Sequence, residues 1–186
     1  MSGIFDIVQQ QLRSGAVQQI AERAGIDPAV AQQAVAAAVP IILGGMAQHA
    51  TDPANAEVIH AEADKYSTNA GAIGNLPNVL ADDGQSGGLL GKILGRSHEV
   101  VQDGVANAAG IDKAQAAKVI GVLAPLVLGA IALKKRQDGL APQEVSGSLQ
   151  QAHQASKTQA QQQSPRLGGI VGSVMGDIMN REGPGA

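Results

Sequence analysis

AERAGIDPAVAQQAVAAAVPIILGGMAQ, residues 21–48, returns without a gap as ANAAGIDKAQAAKVIGVLAPLVLGAIAL, residues 106–133. Eleven of the 28 positions are identical, among them Ala24-Gly25-Ile26-Asp27 with Ala109-Gly110-Ile111-Asp112, Pro40 with Pro125, and Leu43-Gly44 with Leu128-Gly129. Alanines shared between two alanine-rich stretches carry little information. The AGID, Pro and LG elements in one register show an internal duplication. Each copy reads as a helix ending at a left-handed glycine, Gly25 or Gly110. An Asp N-cap, Asp27 or Asp112, then opens a second, strongly apolar helix. Pro28 suits the first turn of that helix in the first copy. Pro40 and Pro125 each remove one i to i−4 hydrogen bond, which predicts a kink or a restart. The first helices are expected over about residues 4–24 and 89–109, and a later helix near Asp52-Pro53 and near Ala141-Pro142.

Outward from this repeat, Gly3-Ile4-Phe5 falls on Gly88-Leu89-Leu90, so each copy opens on glycine and two apolar residues. A third such opener, Gly168-Gly169-Ile170-Val171-Gly172, stands near the C-terminus. The expected fold is all-α: two tandem helical-hairpin repeats in one orthogonal-type bundle, followed by a Gly-rich C-terminal segment. Repeat one with its Asn/Gly-rich connection takes residues 1–86, and repeat two takes 87–152. Residues 153–166, nearly devoid of apolar side chains, predict a flexible linker to the segment 167–186.

Composition excludes several classes. The chain has 186 residues, 24 of them Gly, with one Phe, one Tyr and no Cys. The absence of cysteine removes disulfides, thiolate metal sites and a Cys nucleophile. A net charge of −3 gives no general attraction to nucleic acid or anionic lipid. The N-terminus lacks the basic and apolar regions of a secretory signal, which predicts a cytoplasmic protein. The longest uncharged apolar run, residues 119–133, is shorter than a membrane span and is followed by Lys134-Lys135-Arg136. A buried core helix is the expectation there, with membrane-surface contact through the three cations as the lesser reading.

The AGID turn, Leu43-Gly44-Gly45, the GGLLGKILG block at residues 87–95 and the LAPLVLGAI run at residues 123–131 resemble the YidB-like family of bacterial proteins of unknown function. The resemblance covers about residues 2–150. It implies a helical bacterial protein and supplies no reaction, substrate or catalytic residue.

The residues carry no catalytic pattern either. His49, His60, His98 and His153 lie in unrelated contexts, without ligand spacing, and no nucleophile elbow or phosphate loop occurs. Neither an enzyme nor a cofactor is expected. Residues 20–26 have helix-turn-helix spacing and resemble the helical hairpin of HU-type nucleoid proteins. The following helix offers only Gln32 and Gln33 to base edges, so nucleic-acid binding is not expected.

The glycine blocks are the sharper signal. Gly87, Gly91 and Gly95, like Gly168, Gly172 and Gly176, fall four apart, a spacing that lines one helix face and admits a second helix closely. Ile170, Val171, Val174 and Met175 flank the second block. A C-terminal segment with no repeat to begin would dock where Ile4 and Phe5, or residues 87–95, pack on a neighbouring molecule. This predicts a non-catalytic, self-associating homo-oligomeric scaffold connected through residues 168–179. The alternative is a regulatory module that takes a partner helix or an apolar ligand between the repeats.

Overall fold

The computed structural model describes residues 3–67 and 86–182, all of whose regular structure is helical. The Asn/Gly-rich connection expected at the end of repeat one lies almost wholly outside those residues. In repeat one the helices are α1 (Ile4–Gln11), α2 (Val17–Ala24), α3 (Pro28–His49) and α4 (Pro53–Ser67). In repeat two they are α5 (Ser86–Leu94), α6 (His98–Ala109), α7 (Lys113–Asp138) and α8 (Pro142–Gln163). A last helix, α9 (Pro165–Glu182), follows.

The duplicated turns form as their chemistry requires. Gly25 and Gly110 end α2 and α6 at φ 66° and 67°. The Asp27 carboxylate accepts from the Ala29 N–H at 2.8 Å. Asp112 accepts from the Gln115 N–H at 2.7 Å, and Gln115 Oε1 accepts in return from the Asp112 N–H at 3.2 Å. Pro40 and Pro125 do not restart their helices, since α3 and α7 run through them. Both prolines are buried, so packing holds the helix where propensity would break it.

The first helix of each copy spans its expected residues but is not α-helical throughout. A π-helical turn at Leu12–Ala16 separates α1 from α2, with Gly15 at φ 101°. A 3₁₀ turn at Gly95–Ser97 separates α5 from α6, with Gly95 at φ 56°. Those backbone angles suit glycine alone and cannot continue an α-helix.

α3 and α7 are apolar on every side, and such a helix belongs in the middle of a bundle. Over residues 34–47 every side chain but Ala36 is buried, and over residues 122–132 every one is. The two helices touch, and their covers are exchanged between the copies. α4 of repeat one packs on α7 of repeat two, and α8 of repeat two packs on α3 of repeat one. α1 likewise lies on α7, and α5 on α3. Each repeat therefore supplies a core that the other repeat covers.

Two expectations are corrected here. Residues 153–163 are not a linker but the second half of α8, with His153, Ser156 and Ala160 buried. Only one helical face is buried, and small or polar side chains line it, so hydropathy carries no signal. The C-terminal segment is likewise no tail. Helix α9 packs on α3, α6 and α8 of its own chain and buries Val171, Val174 and Ile178.

Candidate functional site

The residues expected to mediate self-association are largely core. Ile4 and Phe5 are buried in α1, and Val171 and Val174 in α9, with Ile170 and Met175 packed against the same core. The glycine spacing does not mark the close contacts. A Cβ placed at Gly91, Gly172 or Gly176 would meet no neighbouring atom, and Gly95 serves the 3₁₀ turn. Gly87 lies in α5. Gly168 is pressed by a neighbour, the Gln161 side chain at the α8–α9 turn. The clefts that receive α9 are elsewhere. A Cβ at Gly44 would strike Met175 Sδ and lie 2.8 Å from His153 Nδ1. One at Gly104 would lie 2.5 Å from Val174 Cγ2, and one at Gly45 would lie 2.9 Å from Leu94 Cδ2. The LGG element thus exists to let α5, α8 and α9 reach α3.

The titratable groups hold the bundle together. His60 Nε2–H donates to the Leu140 carbonyl at 3.0 Å, which leaves Nδ1 to accept from Lys135 Nζ at 3.2 Å. Lys135 also pairs with Asp64 at 2.5 Å, and Lys134 pairs with Asp138. All three of the cations proposed to touch lipid, Lys134, Lys135 and Arg136, therefore have interactions within the chain. The buried carboxylate of Glu62 binds Lys65 at 2.8 Å and Lys92 at 3.0 Å, joining α4 to α5. Burial alone would raise its pKa, but the two ammonium groups hold it below the ordinary carboxylate value. His98 Nδ1–H donates to the Gly95 carbonyl at 2.9 Å. Among the described residues no group of three His, Asp or Glu is arranged to hold a metal ion.

Among the histidines, His153 is the buried one. Its Nδ1–H donates to the Pro40 carbonyl at 2.8 Å, tying α8 to the proline of α3. Desolvation pushes its pKa below the ordinary 6.5, and Lys157 adds to the effect against the hydrogen bond. The folded protein thus holds a neutral imidazole. On acidification the unfolded chain takes up this proton first, so the stabilising contribution is complete above about pH 6.5 and declines below it. Melting curves between pH 8 and pH 5 are expected to show a fall in midpoint that is smaller in His153→Gln.

The concavity of interest lies beside this bond. A groove of about 600 Å³ runs between the α1–π-turn segment, α3 and α8. Phe5, Leu12 and Val17 form one wall, Val35, Ala36, Val39 and Pro40 a second, and Ser156 and Ala160 a third. Gln9, Gln32, Gln159 and Gln163 line it with amides, and among the described residues Arg13 is its one charged lining residue. Two sequence features shape it. The π-turn adds a residue to the helix, and turns of this kind recur at functional sites. Pro40 has no N–H to give the Ala36 carbonyl, and Ala36 is the one residue of the buried stretch that stays partly exposed. The sequence suggests a site for an apolar ligand between the repeats but not its lining residues, because the walls come from three separated segments. The proline–His153 bond that sets its third wall spans 113 residues.

No curated protein and no solved structure matches the chain. Residues 6–134, which carry α1 to α7 up to its last turn, match the profile of a family described as bacterial protein of unknown function, DUF937. The match covers both copies of the duplicated hairpin and well over half of the sequence, so this chain belongs to the DUF937 family.

Proposed function

We propose that the protein is a non-catalytic binding module that takes a small apolar ligand in the groove between α1, α3 and α8. The observation that carries this reading is the groove itself: apolar walls, a ring of amides and a volume of about 600 Å³, within the range of small-molecule sites. The histidines and paired carboxylates are engaged in holding helices together, which supports a role without chemistry. α3 and α7 are long and apolar enough to cross a membrane by length and composition. Their burial by neighbouring helices supports a water-soluble bundle instead.

The test is titration with Nile red, a neutral apolar dye. Saturable binding at one site is expected, together with a rise in melting temperature that follows ligand concentration. Ala36→Phe fills the groove from α3, and Gln159→Trp fills it from α8. Each is expected to weaken binding at least tenfold while the apo melting curve stays cooperative. Unsaturable dye uptake that both variants leave unchanged overturns the reading. Light scattering on the same samples reports the alternative, assembly through the exposed face of α9, where Gly172 and Gly176 leave open space beside the exposed Met179.

A further inference from the structure

We infer that the ligand of this groove is an amphipathic monocarboxylate, an apolar chain ending in one carboxylate held by Arg13; the inference rests on the binding reading above. Three observations carry it. Among the described residues the lining contains one ionised side chain, and it is a cation: no described Asp or Glu lines the groove. Arg13 is exposed and forms no ion pair among the described residues, so its guanidinium is open to a ligand. The floor beside it, from Phe5 and Leu12 to Val35 and Val39, is apolar, so an anion would bring a chain with it. A guanidinium matches a carboxylate with two parallel N–H···O bonds, a geometry an ammonium lacks. The surrounding glutamines add neutral N–H donors to an anionic head without competing as bases. The volume lies within the range of small-molecule sites.

The experiment is displacement of Nile red from the full chain by dodecanoate, dodecan-1-ol and dodecyl sulfate, each below its micellar concentration. Dodecanoate is expected to displace the dye at a concentration at least tenfold lower than dodecan-1-ol. Arg13→Gln is expected to bring the two within about twofold of each other. Equal displacement by dodecanoate and dodecan-1-ol, or a carboxylate preference that survives Arg13→Gln, overturns the ligand class while leaving the groove reading intact. Dodecyl sulfate displacing as well as dodecanoate overturns the carboxylate in favour of any anionic head. Displacement by all three from Ala36→Phe as from the wild type removes the groove reading itself.

Discussion

Gly104→Ala is expected to destabilise the protein by about 1–3 kcal/mol, the usual cost of overpacking a formed core. Gly129→Ala is expected to leave stability unchanged or raise it. A new Cβ at residue 104 would lie 2.5 Å from Val174 Cγ2, 2.9 Å from Cγ1 and 3.3 Å from Cβ. Valine is branched at Cβ and stiff in χ1, so no flexible tip can swing aside and α9 itself has to move. At Gly129 the same atom meets nothing within 4 Å, and the substitution recovers about 1 kcal/mol of helix propensity. The measurement is thermal or urea unfolding, where each kcal/mol corresponds to about 2–4 °C in a protein of this size. Val174→Ala in the Gly104→Ala background removes the clash, so the double variant is expected to recover stability relative to the sum of the single ones. Additive losses would show that α9 is not seated on Gly104.

The contrast also shows what one sequence discloses. Gly44 and Gly129 are equivalent in the duplication, and spacing alone treats them alike. In the fold Gly44 faces His153 and Met175, while Gly129 faces no such neighbour. The difference lies in α8 and α9, to which spacing is blind. Local features were legible because their causes are local. Gly25, Gly110, Asp27 and Asp112 took the backbone angles and caps their chemistry favours, and the apolar stretches 34–47 and 122–132 became the centre. The polar half of α8 was not legible, since one buried face lined by His153, Ser156 and Ala160 leaves the average hydropathy of a linker. Nor was the lining of the groove, which exists only once Phe5, Val39 and Ala160 are brought together. The third opener, Gly168 to Gly172, resembled the start of a repeat because it shares the apolar helix pattern. That pattern is satisfied here by the chain's own α3 and α6.

A chain ending after Asp138 is expected to lose its cooperative unfolding transition altogether, although it retains every residue of the family match. The exchange of covers between the two copies is the reason. α4 remains to cover α7, but α8, the main partner of α3, is gone, and α9 with it. Val145, Leu149, Val171, Val174 and Ile178 are buried on the removed helices, opposite the apolar side chains of α3 and α6. Each such side chain stabilises the fold by about 1.5–3 kcal/mol, and a typical domain has only about 5–15 kcal/mol in total. A chain ending after Ser164 keeps α8 and the His153–Pro40 bond, so it is expected to unfold cooperatively at a lower midpoint. Circular dichroism melts of the three chain lengths, with dye binding to report exposed apolar surface, separate the cases. A full-length-like melt from the chain ending after Asp138 would mean that α3 needs no cover from repeat two. The interlocked packing would then not be the source of stability. The expected order, full chain above the Ser164 terminus and no transition at Asp138, makes α8 a structural half of the duplication even though the family match ends before it.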